Sequence, residues 1–392
     1  MTIRLMHMSD THHSAQNAKH TLPVLKEAID TAIAENCRLA IHSGDLWDHV
    51  VLNSESSSMV SVLDEFRRLA EHMPVLALVG NSPHDVPGSL DVLSRLETTF
   101  PIHVSSTFET LFLSGLGQWC EHPSTDSECV LQVHCVPYPT VKMLCPDESD
   151  GNPLQRSKTT LHHILHHFGA EPRNQLMPTV LVAHLCVDNV ETEAGTFCEP
   201  LGVSLERILA VGADYTALGH IHKAQQPMME HHPVRYAGSM FHKTFGEPEE
   251  KGFWIVDIEN KGHATMTWHK LQSTVPLCLI EWREGQDPPA MQHTTGKRTR
   301  IRFHVAHLTD EIRAQGDTIA TTLIANGALD VKVEYIVEPA VTLRSETVSI
   351  ATTLVDKYKA YCEVTNREVT DRSVQLVKAL ESCKDPTELV KL

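Results

Sequence analysis

The sequence predicts an α/β layered domain over about the first 270 residues, followed by a smaller α+β region. In the first part, short apolar runs alternate with stretches of helical spacing, which is typical of strands and helices stacked in layers. The first three apolar runs each lead directly into a polar cluster, as active-site residues do at the carboxyl ends of strands in α/β folds. After residue 275 the pattern changes to two strands around one helix, followed by helical stretches.

The predicted elements of the first part follow from the spacing of apolar residues. Apolar residues recur at helical spacing between Leu22 and Ile33, so we expect a helix over residues 22–36 with one buried face. Continuous apolar runs bounded by polar residues indicate buried strands. The other elements predicted here are a helix at 59–72 and strands at 3–8, 39–42, 75–79, 180–183, 215–218 and 253–258.

The region after residue 275 is predicted to hold shorter elements. They are a half-exposed strand at 300–305, a helix at 310–325, a strand at 331–337, a helix with the apolar face Ile350, Leu354, Tyr358 and Tyr361, and a last helix at 373–382. Residues 284–296 contain Gly, Pro and Gln and are the expected flexible connection. We therefore expect three domains, at 1–272, 275–345 and 346–392.

Composition limits the class of protein. The 392 residues carry 33 Lys and Arg against 50 Asp and Glu, a net charge of −17, and 41% are hydrophobic, which excludes a disordered chain. No apolar run approaches the ~18 residues of a membrane span, and residues 1–10 lack the apolar core of a signal peptide. The ten cysteines include no C-x-x-C pair, so we expect reduced thiols, a cytoplasmic location and no membrane partner. The acidic excess would repel a nucleic acid unless bound divalent cations reverse the field locally.

Five segments carry side chains suited to divalent metal ions, each placed close after a predicted strand. The residues are Asp10, His12, Asp45, Asn81, His184, His220 and His222. Three oxygen and four nitrogen donors are too many for one tetrahedral zinc ion. They suit two adjacent ions that share one ligand, and the carboxylate of Asp45 is the natural bridge. Two ions ~3.5–4 Å apart can activate a water and hold the attacking and leaving oxygens of a phosphoryl displacement.

This ordered series resembles the signature of the calcineurin-like metallophosphoesterase superfamily, which is D-x-H, G-D-x-x-D, G-N-H-[DE], H and G-H-x-H. The resemblance implies an α-β-β-α sandwich with a C-terminal capping domain. It implies a first metal held by the residues Asp10, His12, Asp45 and His222. It implies a second metal held by the residues Asp45, Asn81, His184 and His220.

A closer resemblance, to the SbcD branch of this superfamily, is carried by the strings at 214–225, 236–239, 245–247 and 250–253. SbcD-type subunits are nucleases that work with an SbcC ATPase in DNA-end processing. The resemblance implies two Mn²⁺ ions, 3′-to-5′ exonuclease activity on duplex ends and endonuclease activity on single strands or hairpins. It also implies DNA, an SbcC-like ATPase docked on the helices after Ile350, and a second copy of the chain as partners. This chain has no G-x-x-x-x-G-K-[ST] loop, so ATP-driven steps would come from that ATPase.

One motif departs from the family pattern. The family places a histidine directly after the metal-binding asparagine, whereas here two residues separate Asn81 from His84. We expect the loop to bulge outward and return His84 to its catalytic place, because loops absorb insertions at low cost. The family pattern implies that Asp48 orients and charges this histidine. If the loop does not bulge, His49 or His13 would have to substitute.

Two further clusters and two rival functions stay open at this stage. Arg298, Arg300 and Arg302 could lie along a phosphate backbone if they share one strand face, although a solvated face is the simpler interpretation. Four histidines between His162 and His167 fall opposite the apolar stripe of their helix and are expected to face solvent. The rivals to a nuclease are a phosphomonoesterase or cyclic-nucleotide phosphodiesterase using the same metals, and a catalytically inactive scaffold of this fold.

Overall fold

In the computed structural model of this chain, the described residues are 2–49, 56–121, 129–146, 152–171, 177–192, 195–197, 199–227, 232–247, 249–287, 293–338, 348 and 350–382. The strands among them are β1 (Ile3–Met8), β2 (Leu39–His42), β3 (Val75–Leu78), β4 (Ile102–Ser105), β5 (Glu109–Ser114), β6 (Trp119–Cys120), β7 (Cys129–Val136), β8 (Thr179–His184), β9 (Val190–Thr192), β10 (Gly195–Phe197), β11 (Tyr215–Gly219), β12 (Val234–Tyr236), β13 (Gly252–Asn260), β14 (His263–Lys270), β15 (Leu277–Arg283), β16 (Arg298–Val305) and β17 (Asp330–Val337). The helices are α1 (Ala18–Ala34), α2 (Ser56–Ala70), α3 (Val141–Leu144), α4 (Pro153–Gly169), α5 (Leu205–Leu209), α6 (Asp310–Ala325), α7 (Leu354–Val364) and α8 (Asp371–Ser382), with a 3₁₀ turn at Leu93–Arg95.

Two six-stranded sheets form the first part of the chain. One has the order β14-β13-β1-β2-β3-β4, in which β1 to β4 run parallel and β13 pairs antiparallel with β1. The other has the order β12-β11-β8-β7-β5-β6, in which β7, β8, β11 and β12 run parallel. Because neighbouring parallel strands end on the same side, the loops after them gather at one edge of each sheet.

The sheets pack face to face, and helices cover their outer faces. Alternate residues of β1 point to different cores: Leu5 packs between the sheets with Val133, while Met6 packs with Phe66 of α2. Helices α4 and α5 cover the second sheet on its other side. Leu5, Met6, Phe66 and Val133 are fully buried, and burial of each of these side chains contributes ~1.5–3 kcal/mol. The result is an α-β-β-α sandwich, which confirms the predicted fold class.

Most predicted elements are present with shifted ends, but Ile350 lies outside the helix whose face it was predicted to share, because that helix begins at Leu354 after the N-cap Thr353. The predictions for β1, β2 and α6 are right at both ends. Helix α1 begins at Ala18 instead of residue 22, because apolar spacing marks the buried face of a helix and not its ends. Strands β4 to β7, β9, β10, β12, β14 and β15 were not predicted. Several are only two to four residues long, and polar residues interrupt the apolar pattern of longer ones, as Gln132 and His134 do in β7.

Tertiary contacts divide the chain into two compact units. The first holds Met1–Ile280, Pro289–Ile301 and Ile319–Lys332, and the second holds Glu281–Pro288, Arg302–Thr318 and Val333–Leu392. Strands β15, β16 and β17 form a three-stranded sheet in that order. The expected connection at 284–296 and the expected boundary at 346 lie partly outside the described residues. Within the described ranges, no helix combines the length and apolar character that crossing a membrane requires.

Candidate metal centre

All of the predicted metal ligands lie at the carboxyl ends of parallel strands. The loops after β1, β2 and β3 supply them from the first sheet, and β8 and the loop after β11 supply them from the second. By position they are Asp10 and His12 after β1, Asp45 after β2, Asn81 after β3, His184 at the end of β8, and His220 and His222 after β11. The structure therefore brings together residues that lie more than 200 positions apart in the sequence.

Several of these residues have unusual backbone conformations. Asp10, His12, Asp45 and His220 have positive φ angles of 50°, 44°, 57° and 92°. Such conformations cost ~1–3 kcal/mol each and persist only where the surroundings enforce them. The N–H of Asp10 donates to the carbonyl of Gly44 at 3.0 Å, and the N–H of His12 donates to the carbonyl of Asp45 at 3.0 Å. These bonds join the loops after β1 and β2 and hold their side chains in place.

The side chains form two clusters that meet at Asp45. Ligand atoms of Asp10, His12 and His222 lie within 4.8 Å of one another, and so do those of Asp45, His184 and His220. The Nε2 atoms of His12 and His222 are 2.9 Å apart. Asp45 Oδ1 lies 3.4 Å from His184 Nε2, and Asp45 Oδ2 lies 3.8 Å from His12 Nε2. One carboxylate oxygen therefore faces each cluster, which is the arrangement that a bridging ligand needs.

The polar atoms at the clusters fit two divalent cations. Asn81 Oδ1 and His220 Nδ1 are buried without a hydrogen-bond partner. A buried polar atom without a partner costs ~1–3 kcal/mol, so such atoms need a satisfying group. The main-chain N–H of Asn81 donates to Asp45 Oδ1 at 2.8 Å. Asn81 is therefore held beside the shared carboxylate. Carboxylate, amide oxygen and imidazole together are ligands for Mn²⁺, Fe²⁺ or Zn²⁺.

The charged groups of the centre shift one another's pKa values. Burial lowers the pKa of His184, but the carboxylates of Asp45 and Asp10 raise it by more, so that it reaches about 9. Burial raises the pKa of Asp10, but the hydrogen bond to His12 and the charges of His184 and His222 hold it well below the usual range. An imidazolium cannot bind a cation, so a metal bound at His184 would displace a proton, and metal affinity would then rise with pH.

The sequence of this part of the chain matches a known family. The family model described as calcineurin-like phosphoesterase matches residues 3–224, more than half of the chain, and that stretch contains all of the clustered ligands. The chain belongs to the calcineurin-like phosphoesterase family. Membership implies a metal-dependent hydrolase with a dinuclear site of divalent ions, which agrees with the two clusters.

Individual relatives are more distant. The DNA double-strand break repair protein Mre11 of Sulfolobus acidocaldarius is 28% identical over 116 residues, which is 28% of this chain and 28% of that protein. The protein of the same name from Saccharolobus solfataricus is 26% identical over 116 residues, and the uncharacterized metallophosphoesterase YhaO of Bacillus subtilis is 27% identical over 117. Each match spans under a third of the relative's length. A dimetal phosphatase from Danio rerio aligns with 69% of this chain and 99% of its own, at 10% identity and a TM-score of 0.40.

The extra residues before the family histidine form a tight turn. The carbonyl of Asn81 accepts from the N–H groups of His84 and Asp85 at 3.0 and 2.8 Å, and the intervening Ser82 and Pro83 are exposed. The turn brings His84 back to the centre, where its Nε2 lies 3.9 Å from Asp45 Oδ2. The insertion is therefore accommodated outside the centre.

The alternative histidines are less suitable for this role. Both ring nitrogens of buried His13 are engaged, Nδ1 with Thr21 and Nε2 with Ser58. His49 stacks on the outer side of the His84 ring, with ring centroids 6.2 Å apart, and its side chain is 69% exposed. Of these three histidines, His84 is thus the one with a free-facing ring nitrogen beside the shared carboxylate, at 3.9 Å.

Asp48 contacts His84 in a different way from the family expectation. The Asp48 carbonyl oxygen, and not its carboxylate, lies 2.5 Å from His84 Nδ1. Because a carbonyl only accepts, Nδ1 carries the proton and Nε2 faces the centre. The Asp48 carboxylate instead lies 3.1 Å from Lys243 Nζ, and Lys243 belongs to a segment after β12 that sequence analysis did not single out.

Asp85, directly after His84, joins two of the loops. Its carboxylate accepts N–H groups from Gly80 at 2.9 Å, Asp45 at 2.8 Å, and Leu46 and Trp47 at 3.1 Å. Burial and the charge of Asp45 raise the pKa of Asp85 to about 6, although the N–H groups favour the ionised form. The loops after β2 and β3 are therefore held in register through one buried side chain.

The arginines predicted to contact DNA share one face of β16. Half-buried and buried positions alternate along the strand, and Arg298, Arg300 and Arg302 all lie on its half-buried face. Arg302 pairs with Glu281 at 3.3 Å and with Glu334 at 3.7 Å, so its charge is offset.

The four histidines of α4 lie on a solvated face, as expected. Three of them are exposed and one is half-buried.

Sequence analysis missed two residues that contact the ligands. Glu199 Oε1 lies 2.8 Å from His220 Nε2, and the Tyr138 ring centroid lies 5.3 Å from that of His220. Tyr138 follows the end of β7, the same kind of position as the ligands, and this was a usable signal. Glu199 lies in a loop after β10 with no motif around it, so only the folded structure identifies it.

Proposed function

We propose that the chain is a Mn²⁺-dependent DNA nuclease of the SbcD type, with exonuclease activity on duplex ends and endonuclease activity on single strands or hairpins. The observation that carries the chemistry is the pair of ligand clusters that meet at the Asp45 carboxylate, with His84 beside that carboxylate. The similarity to archaeal Mre11 proteins supports DNA as the substrate. The choice of Mn²⁺ rests on the SbcD-like strings and not on the ligand types.

The residues of the chain have distinct roles in this proposal. When bound, the two cations supply the positive charge that stabilises phosphoryl transfer and lower the pKa of an attacking water. His84 acts on the departing 3′ oxygen: Nδ1 is held by the Asp48 carbonyl, so a protonated Nε2 donates to that oxygen and gives up its proton. Burial and the nearby His12 lower the pKa of His84, which makes the imidazolium a stronger acid.

We propose that cationic side chains near the centre contact the flanking phosphates. Lys243 lies at the edge of the centre through its ion pair with Asp48. Two residues further along the chain is Phe245, and the guanidinium of Arg300 lies over its ring, 4.6 Å from the ring centroid. Arg298 lies on the same strand face as Arg300. We propose that Arg298 and Arg300 contact the DNA backbone, and that Arg302 contributes little because two glutamates offset its charge.

Substrate class can be tested with one set of variants. With Mn²⁺, the protein should cleave labelled duplex DNA and also hydrolyse a chromogenic phosphodiester. Arg300→Gln should weaken DNA binding and reduce the slope of log affinity against log salt by about 1, without changing hydrolysis of the small diester. Arg302→Gln is the matched control on the same strand and should change neither. Hydrolysis of the small ester without any cleavage of DNA would favour a small-molecule phosphodiesterase instead.

The C-terminal helices are the proposed docking site for an SbcC-like ATPase. Leu376 and Leu380 lie one turn apart on α8 and are 37% and 49% exposed. On α7, Leu354 and Tyr361 are 43% and 45% exposed. Exposed apolar side chains in such number on two helices indicate a partner surface. We also propose that residues 275–345 form a DNA-gripping cap and that the chain forms a homodimer, as the SbcD-like strings imply.

Removal of these helices should separate partner binding from hydrolysis. A chain lacking residues 350–392 should keep Mn²⁺-dependent cleavage but lose any response to ATP when the SbcC-type ATPase is present. In the full chain, the double variant Leu376→Glu and Leu380→Glu should lose the ATPase in co-purification, because two buried charges at an interface are costly. Lys378→Glu on the same helix is the control and should still co-purify. Full-yield co-purification of the truncated chain would place the docking site elsewhere.

A further inference from the structure

We propose that Glu199 and Tyr138 are positioning residues that fix the ring of His220 as a metal ligand. The proposal rests on the dinuclear centre proposed above. It begins with the two nitrogens of His220. Nε2 lies 2.8 Å from Glu199 Oε1, whereas Nδ1 is buried without a hydrogen-bond partner. Because an ionised carboxylate only accepts, the proton is on Nε2, and the lone pair on Nδ1 is available to a cation.

The backbone of His220 is held from the other side. Its N–H donates to both carboxylate oxygens of Asp10, at 3.2 and 3.1 Å. Its φ angle of 92° is a conformation that non-glycine residues rarely adopt, so contacts outside the residue must maintain it. Asp10 therefore fixes the main chain of His220, and Glu199 fixes the far end of its ring. Because the main chain and the Nε2 end of the ring are both held, the direction in which Nδ1 points is fixed.

Tyr138 completes the arrangement by holding Glu199. Burial, and after it the charge of the nearby Glu199 carboxylate, raise the pKa of Tyr138 to about 12, so the phenol keeps its proton and is able to donate to Glu199. The Tyr138 ring also lies beside two ligand rings, with centroids 5.3 Å from His220 and 6.0 Å from His184. The N–H of Tyr138 donates to the carbonyl of Val79, at 3.2 Å, which anchors it next to β3.

Glu199 is placed to orient His220 and not to bind the cation itself. Among the described residues, the cluster of mutually close ligand atoms contains Asp45, His184 and His220 but not Glu199. Glu199 contacts Nε2, on the opposite side of the ring from Nδ1. Its carbonyl accepts the N–H of Gly202 at 2.9 Å, which closes the loop that carries it. A carboxylate behind a ligating histidine raises the basicity of the ring, and mutation of such a partner costs 10–100-fold in metal affinity.

The positioning role of Glu199 is tested by measuring Mn²⁺ binding to the full chain with calorimetry or equilibrium dialysis. Glu199→Ala should raise the Kd of one of two Mn²⁺ ions by about 10–100-fold while both ions still bind at saturation. Glu199→Gln should lose less, because its amide oxygen still accepts from Nε2, and Tyr138→Phe should also lose less than Glu199→Ala. Glu191→Ala is the matched control: Glu191 lies in β9, eight residues before Glu199, and pairs with the partly exposed Lys223, so this variant should bind Mn²⁺ normally.

A second readout does not depend on metal. Long-range ¹H–¹⁵N spectra of the metal-free protein, with the His220 signals assigned by their loss in His220→Asn, report which nitrogen carries the proton. The wild type and Glu199→Gln should show the Nε2–H form, and Glu199→Ala should show a mixture of tautomers. Unchanged Kd and tautomer in Glu199→Ala would overturn the positioning role. Loss of one ion at saturating Mn²⁺ would also overturn it, by making Glu199 a ligand, whereas a wild type that binds no Mn²⁺ would overturn the dinuclear centre instead.

Discussion

Replacing Asp45 with alanine should reduce hydrolysis to background and lower metal content at both positions of the centre. The two oxygens of this carboxylate face different clusters, 3.4 Å from His184 Nε2 and 3.8 Å from His12 Nε2. Removal of one side chain therefore takes a negatively charged ligand from both cations at once. Metal analysis of the purified variant, together with hydrolysis of a chromogenic phosphodiester, measures both effects.

The controls separate loss of metal from loss of fold. Asp45 Oδ1 also accepts the N–H of Asn81, so alanine leaves that donor without its partner. Asp45→Asn keeps an acceptor and tolerates the positive φ of the site, so it should fold normally while still binding metal more weakly than the wild type. Asp64→Ala, which removes an exposed carboxylate paired with Arg67, should change neither metal content nor activity. Two ions per chain in Asp45→Ala would contradict the bridging role.

The sequence is informative where function depends on local pattern. Buried strands appear as continuous apolar runs, and parallel pairing then places the residues that follow them at one edge. Asp10 follows β1 and Asn81 follows β3, so a pattern of four or five apolar residues was enough to locate each of them. His220 follows β11 of the other sheet, and the packing of the two sheets brings it into contact with Asp10, over 200 residues away in the sequence. Strand-end position and ligand chemistry together therefore predicted which residues converge.

Contacts that depend on loop geometry could not be predicted in this way. No spacing rule indicates that Glu199 reaches His220, since its loop has no regular pattern. The contact between His84 and Asp48 was expected through the carboxylate, but the structure forms it through the main chain, which any residue at that position could supply. The ion pairs of Arg302 arise from neighbouring strands of its sheet and depend on which strands pair. These features become visible only once tertiary structure is known.

Replacing His84 with alanine should cut turnover by about 10²–10⁴-fold while both metal ions remain bound. The turn closed by the Asn81 carbonyl places the ring beside the centre, and Nε2 lies 3.9 Å from the shared carboxylate. Without the ring, no side chain at this position can donate a proton to the departing oxygen. The loss should therefore appear in kcat, with KM and DNA affinity nearly unchanged.

The neighbouring histidine provides the matched control for that result. His49→Ala removes a ring that stacks on His84 from the solvent side, so it should leave turnover close to that of the wild type. Metal content distinguishes the two ways in which His84→Ala could fail, because His84 also lies in a cluster with His12 and Asp45 whose ligand atoms are within 4.8 Å of one another. A fall in metal content would make His84 a ligand. Wild-type turnover in His84→Ala would show that another group donates the proton to the departing oxygen. The turn at Asn81 would then hold a side chain that the reaction does not use.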